Sequence, residues 1–201
     1  MRAFLGLSGL IDRFSELIGK LVRWLILASV LISAGNAIIR KIFDVSSNSW
    51  LEIQWYLFAG VFLLGAGYAF LRNVHVRIDF ISNKLSRRTN AIIDSLGIVF
   101  VLTPLCLILI DLSWPLFYNA WVTGEMSSNA GGLIRWPVFL LVPVGFAVLM
   151  LQGFSELIKR IAFLTGAISE PHSMEVHKSD EELMAEELAL EAEQKYAGAK
   201  S

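Results

Sequence analysis

Four long runs without a charged side chain constrain this chain more than any other feature of its sequence. They cover residues 24–39, 53–71, 95–110 and 138–155. A helix needs roughly 20 mostly apolar residues to cross about 30 Å of hydrocarbon, and each run with its flanks is close to that length. The composition agrees, because 55% of the residues are hydrophobic and 17% are charged, against about 45–50% and about 25% in soluble domains. The sequence therefore predicts an all-α membrane protein with four transmembrane helices, at about residues 21–41, 50–71, 91–113 and 136–158.

Basic residues predict the orientation of these helices. Lys and Arg are concentrated in the N-terminal segment, in the loop between the second and third spans, and after the fourth span. With four spans, all three places lie on one side of the membrane, and the positive-inside rule makes that side cytoplasmic. Arg40 and Lys41 on the opposite side are an exception that does not reverse the balance. We therefore predict an N-in, C-in topology.

The two ends of the chain differ from the membrane domain. Residues 1–20 place apolar side chains at roughly helical spacing, which predicts an amphipathic helix lying in the membrane interface before the first span. Residues 170–201 hold nine acids and three lysines, which favours a solvated cytoplasmic tail over a docking helix. We divide the chain into an interfacial segment (1–20), a four-helix domain (21–165) and an acidic tail (166–201).

Two of the predicted spans carry irregular features. In the first, Ser29, Ser33, Asn36 and Arg40 share one helix face, a polar and small-residue stripe typical of contact with another helix and, as an alternative, of an ion pathway. The third remains apolar as far as Trp121, which is longer than the hydrocarbon core requires. We expect Pro104 to kink this helix, and the helix to tilt, protrude or break at residues 114–115.

The sequence has no feature that indicates an enzymatic activity or a cofactor-binding site. It holds three histidines, at positions 75, 172 and 177, and lacks the usual zinc, phosphate-loop and nucleic-acid motifs. Cys106 is predicted to be a small buried hydrophobic residue. The main polar side chains deep in the spans are Gln152, Thr103 and Asn36, whereas an ion-coupled carrier usually holds ionisable groups there. The two halves of the chain do not look like inverted repeats of each other with broken helices, the usual signature of a transport core. The chain is therefore expected to support another subunit.

Several segments resemble one transporter family. They are "NSWLEIQWY", "GAGYAFLRNVHVRID", "SWP", "EMSSNAGGLIRWP" and "LQGFSELIKRIA". These stretches are similar to the small, DctQ-like membrane subunit of tripartite ATP-independent periplasmic (TRAP) transporters, over about residues 17–165. Asn129-Ala130 departs from the family pattern, where a proline is expected nearby, and this bears on loop shape.

The resemblance implies a small permease subunit in the bacterial inner membrane with two protein partners. A periplasmic solute-binding protein captures a small solute, often an organic acid, and a large membrane subunit carries the solute and sodium sites. The small subunit is expected to brace the large one and to help dock the binding protein. A self-sufficient small carrier is the alternative function, and a membrane enzyme or haem protein has no positive sequence feature.

Nine residues are candidate contacts with a partner or with the membrane interface. In the cytoplasmic loop, His75, Arg77 and Asp79 are expected to hold the loop against the membrane or the large subunit, the alternative being a topology signal with incidental order. On the opposite side, Glu52 is either a carboxylate favoured by its helix dipole or half of an inter-subunit salt bridge. The remaining candidates there are Arg40, Trp50, Trp114, Glu125 and Trp136.

Overall fold

Four long helices account for most of the chain in a computed structural model that describes residues 2–44, 47–73 and 85–168. Helix α1 covers Arg2–Phe43 and α2 covers Asn48–Leu71. Helix α3 (Arg87–Gly97) continues through a π-helical turn (Ile98–Leu102) into α4 (Thr103–Thr123), and the last helix, α5, covers Trp136–Leu164. With α3 and α4 taken together, the described residues hold four helices long and apolar enough to cross a membrane. This confirms the all-helical class; the N-in, C-in topology stays a prediction.

Helix α1 passes through the boundary expected near residue 20 without interruption. It has 42 residues, which corresponds to about 63 Å at about 1.5 Å per residue. Its buried residues are Ser8, Ser15, Gly19, Val22 and Ser29, so its N-terminal half turns small and polar side chains inward and large apolar ones outward. The segment expected to be a separate interfacial helix is thus the first part of one long helix, and its location in the membrane interface stays a prediction.

Helix α5 is the central element, since it contacts α1, α2, α3 and α4. It packs on α2 through glycines: a Cβ atom added at Gly145 would lie 2.7 Å from the Cβ of Leu63, and one at Gly67 would lie 2.9 Å from Val148 Cγ1. Such close backbone approach is the usual way in which helices associate in lipid. Pairing of residue 63 with 145 and of residue 67 with 148 makes α2 and α5 parallel.

The third span is irregular just before Pro104, the residue expected to kink it. Helix α4 continues through Pro115 as far as Thr123. Of the three alternatives for this long span, a break at residues 114–115 is therefore excluded, and a tilt or a protrusion from the membrane remains. The irregularity is the π turn before Pro104, where Thr103 donates its N–H and its hydroxyl, the latter at 2.8 Å, to the carbonyl of Ile98. Proline has no N–H and crowds the carbonyl four residues earlier, so a widened turn before it relieves both problems.

Burial in this structure is the reverse of that in a soluble protein. Apart from Val22, Ile98 and Val148, the buried hydrophobic residues are alanines and Cys106, while several polar residues are fully enclosed. Large apolar side chains along α1 and α4 are exposed, for example Trp24, Phe100 and Leu112. Lipid can cover such surfaces, whereas polar groups in hydrocarbon must find partners inside the protein. The prediction that Cys106 is a buried free cysteine is confirmed.

The glycine contact between α2 and α5 gives a first prediction. Replacing Gly145 by Ala places a methyl group against Leu63 Cβ and, at 2.8 Å, against its carbonyl oxygen, so the helices must separate. We expect the free energy of unfolding to fall by about 1–3 kcal/mol, as for other overpacked sites, seen as a lower Tm in detergent. Gly35→Ala is the matched control, because nothing lies within 4 Å of its added Cβ. Equal Tm values for the two variants would contradict the close packing described here.

Candidate functional site

A carboxylate of α1 accepts hydrogen bonds from three side chains of α5. Asp12 Oδ1 accepts from Gln152 Nε2 at 3.0 Å and from Ser155 Oγ at 2.7 Å, and Asp12 Oδ2 accepts from Lys159 Nζ at 3.0 Å. Two serines of α1 extend the contact: Ser15 donates to Gln152 Oε1 at 2.7 Å, and Ser8 Oγ lies 2.7 Å from Ser155 Oγ. Six side chains, three from each helix, thereby join the N-terminal half of α1 to the C-terminal half of α5.

A chain of alternating charges continues from α5 to α3. Lys159 donates to Glu156 as well as to Asp12, Arg160 Nη1 donates to Glu156 Oε2 at 2.6 Å, and Arg160 Nε donates to Asp94 Oδ2 at 3.2 Å. The side chains of Glu156 and Arg160 are 1% and 4% exposed. We call the nine residues the polar cluster: Ser8, Asp12, Ser15, Asp94, Gln152, Ser155, Glu156, Lys159 and Arg160.

The polar cluster fixes three helices relative to one another. Taking a charge out of water costs several kcal/mol, and the cost is offset only where partners have good geometry and remaining donors are satisfied. Each charge described here has an opposite charge within hydrogen-bonding distance. A sliding or rotating helix would break several of these pairs at once. The arrangement therefore holds α1, α3 and α5 rigidly at the end of the bundle where α1 begins and α5 ends.

The opposite end of the bundle carries a short hairpin, residues 124–135, docked on the first turns of α2. Its backbone pairs Met126 with Ile134 in an antiparallel bridge. The turn contains Gly131, whose φ of +71° favours glycine, and Gly132, where a Cβ would lie 2.5 Å from Ser127 Cβ. Two adjacent glycines are thus required by the shape of this turn.

Side chains on one face of α2 hold the hairpin. Glu52 is 3% exposed; its carboxylate accepts from the N–H of Leu133 at 2.7 Å, from Asn129 Nδ2 at 2.7 Å and from the Ser127 hydroxyl. Tyr56 OH donates to the Ile134 carbonyl at 3.1 Å. Asn48 and Ser49 donate to the carbonyls of residues 130 and 131. Glu52 is thus enclosed by its own chain, and its carboxylate shapes the hairpin.

The other predicted contact residues lie in different surroundings. Trp50 and Trp114 are exposed, as is Arg40 in the last turn of α1. Trp136 is half-buried, with its ring centroid 4.6 Å from that of Trp121, which joins the end of α4 to the start of α5.

Glu125 pairs with Arg135 at 2.7 Å across the base of the hairpin, with both side chains partly exposed. The structure therefore brings Glu52, Glu125 and Trp136 to one end of the bundle. The remaining candidates, His75, Arg77 and Asp79, lie outside the described residues, and their roles stay predictions.

Sequence patterns missed the polar cluster, although a signal for it exists. The positions 8, 12, 15, 19, 22, 26, 29, 33, 36 and 40 alternate spacings of four and three, the heptad period of a helix–helix seam. All five buried residues of α1 belong to this set. The stripe from Ser29 to Arg40 is predicted to be a packing face, and the same spacing extends it back to Ser8, inside the segment predicted to be interfacial. We call these ten positions the α1 seam.

The fold, the polar cluster and the docked hairpin are those of a multi-pass helical membrane protein. Its buried polar groups are largely bonded to one another. The chain matches the family described as "Tripartite ATP-independent periplasmic transporters, DctQ component" over residues 29–163. It therefore belongs to the DctQ family, the small membrane component of TRAP transporters, as its sequence motifs predict. Comparison with curated proteins gave no significant match, and comparison with solved structures gave none either.

The polar cluster predicts a large difference between two changes of the same kind. Glu156→Leu removes the acceptor that Lys159 and Arg160 share, leaving them Asp12 and Asp94. Loss of one partner from a buried ion pair costs about 3–5 kcal/mol. Glu16→Leu is the control, because its ion pair with Arg72 joins side chains that are both 47% exposed, a type that contributes about 0–1 kcal/mol. Thermal unfolding in detergent should show a much lower Tm for Glu156→Leu alone. Similar Tm values for the two variants would contradict a stabilising role for the cluster.

From the contacts of the hairpin with Glu52 we predict that the Glu52→Gln substitution loosens the hairpin locally. A glutamine replaces one acceptor oxygen by an NH₂ group, which would face a donor and leave one hairpin donor unsatisfied. We expect faster hydrogen exchange at residues 125–134, with unchanged exchange in the middle of α2 and α5. Glu125→Gln is the matched control, since it disturbs a partly exposed pair and should change exchange little. Unchanged exchange in Glu52→Gln would show that the carboxylate is dispensable for the hairpin.

Proposed function

We propose that this chain is the small permease subunit that braces the large, sodium-coupled subunit of a TRAP transporter in the bacterial inner membrane. In this role it also helps to dock a periplasmic binding protein that delivers a small organic acid. The family match identifies the chain as a component of a TRAP transporter. The particular contribution of this chain, a rigid support, is inferred from its own contacts.

The observation that carries the proposal is that, among the described residues, every buried side-chain oxygen or nitrogen except Ser29 Oγ has a hydrogen-bond partner within the chain. Of the three deep polar side chains noted in the sequence, Gln152 is bonded to Ser15 and Asp12, and Thr103 is bonded to the Ile98 carbonyl. A carrier must offer such groups to its solute and exchange them during transport. Groups that already have partners favour a support over a self-sufficient carrier.

The docked hairpin is the part of the chain that we propose for contact with the binding protein. With the N-in, C-in topology it lies on the periplasmic side of the membrane. Glu52 and Tyr56 hold its backbone, while the Glu125–Arg135 pair remains partly exposed. A preorganised loop loses little conformational freedom when a partner binds, which favours association. The exposed Trp114 lies near the same end, on α4.

Reconstitution into liposomes tests the proposed function. The large subunit, this chain and the binding protein are assembled with an inward sodium gradient, and uptake of a set of labelled small mono- and dicarboxylic acids is measured. We expect uptake with all three proteins, and a fall to background when this chain is omitted, because the large subunit then lacks its support.

Two control reactions separate the alternatives. Uptake by this chain alone would contradict the support role and make it a self-sufficient carrier. Full uptake by the large subunit and binding protein without this chain would show that the bracing is dispensable. Glu16→Leu, which alters an exposed pair, should support uptake like the unchanged chain.

A further inference from the structure

Asp111 lies deeper in the membrane than the sequence alone indicates. The span predicted at residues 91–113 ends two residues after it, whereas α4 continues to Thr123. Asp111 is nine residues after Leu102 and ten before Trp121, and both of these residues contact α5. At about 1.5 Å per residue this stretch is about 29 Å long, close to the hydrocarbon thickness of about 30 Å. Asp111 therefore lies near the middle of the membrane.

The carboxylate of Asp111 has no partner within the described part of the chain. The residue is exposed, and it makes no hydrogen bond or ion pair with the described residues. Ala120, nine residues or two and a half turns further on, lies on the opposite side of α4 and is fully buried. Asp111 thus faces away from the bundle.

An unpaired acid at this depth is unusual. Ionisable residues inside a membrane are costly there, so they are almost always paired or face a polar interior. Lysine and arginine can reach the membrane surface with their long side chains. Aspartate has a single methylene group, so Asp111 cannot do the same. A partner for its charge has to come to it.

The face of α4 around Asp111 has the spacing of a helix–helix contact. Its positions alternate spacings of three and four, as in the α1 seam. All of them are exposed, and α5 packs on the other side of α4. We call these five residues the α4 face: Pro104, Leu107, Asp111, Trp114 and Tyr118.

We propose that a transmembrane helix from outside this chain packs on the α4 face and pairs a lysine or arginine with Asp111. A basic side chain supplies both the opposite charge and the N–H donors that the carboxylate lacks. The attraction between the two charges is stronger in this low-dielectric environment than in water. The inference goes beyond the proposed function, because it assigns a binding face and its chemistry from an unpaired charge.

Other occupants of the α4 face do not satisfy the carboxylate. Lipid acyl chains have no donor, and lipid headgroups lie about 15 Å away at the surface of the hydrocarbon. A second copy of this chain would meet the first about a two-fold axis, which places two Asp111 side chains at the same depth with like charges. A divalent metal ion needs several oxygen ligands, and the described residues contain no group of three His, Cys, Asp or Glu that could hold one.

Site-specific photo-crosslinking in the complex with the large subunit tests the α4 face. A benzophenone amino acid replaces Leu107 on this face or, as the control, Leu105 on the other side of the helix at the same depth. The two side chains are 52% and 49% exposed, so both meet lipid equally in the isolated chain. From position 107 we expect an adduct with a transmembrane segment that contains a lysine or arginine, and from position 105 mainly lipid adducts.

Three results of the crosslinking would overturn the proposal. They are lipid adducts alone from position 107, an adduct of twice the mass of this chain, and an adduct with a transmembrane segment that contains no basic residue.

Substitution of Asp111 gives an independent measurement. Asp111→Leu should not lower the Tm of the isolated chain in detergent, because the carboxylate has no partner there. It should weaken binding of the large subunit roughly thirtyfold or more, as expected when one member of a desolvated ion pair is removed. Leu105→Ala is the control and should bind like the unchanged chain. Asp111→Arg should also weaken binding, and replacing the crosslinked basic residue of the partner by aspartate should restore it. Unchanged binding by Asp111→Leu would reject the ion pair.

The behaviour of the unchanged chain separates this proposal from the proposed function. If it co-purifies with the large subunit and Asp111→Leu binds equally well, the support role stands and the ion pair fails. If it binds no large subunit, but position 107 crosslinks to a basic transmembrane helix of another protein and Asp111→Leu abolishes that adduct, the ion pair stands and the proposed function fails.

Discussion

The hydrogen bonds between Asp12 and the last helix determine the rest of this structure. A carboxylate that is largely removed from water needs partners inside the protein, and Asp12 takes its donors from Gln152, Ser155 and Lys159. They fix the first half of a 42-residue helix against α5. The second half continues as one helix beyond that contact and packs on α2, where Val22 and Leu25 lie against Gly65 and Gly60.

The hairpin shows the same principle at the other end of the bundle. Its backbone donors and acceptors are met by Glu52, Tyr56 and the first residues of α2. This explains why "NSWLEIQWY" and "EMSSNAGGLIRWP" both carry the family resemblance although they are far apart in sequence: one segment holds the other. With both ends fixed, most polar groups are used internally and the outer surface is largely apolar.

Such a molecule suits a division of labour within a transporter. In the proposed function, the large subunit moves relative to a support that keeps its shape. A bundle with ion-paired helices at one end and glycine contacts between α2 and α5 resists deformation.

The sequence by itself determined that the chain has four helices long and apolar enough to cross a membrane, because apolar run length is a local property and lipid enforces it. It also placed the chain in its family. Tertiary structure alone decided the partners of the polar residues. A heptad pattern says which face of α1 is buried but not what covers it. Ser8, Asp12 and Ser15 belong to the segment predicted to be interfacial, and only the structure shows that α5 covers them. Glu52 was compatible with a helix dipole or another subunit, and only the return of a loop some 80 residues away showed its acceptors in use. Hydrogen bonds between distant segments depend on the relative placement of whole helices, which no local pattern encodes.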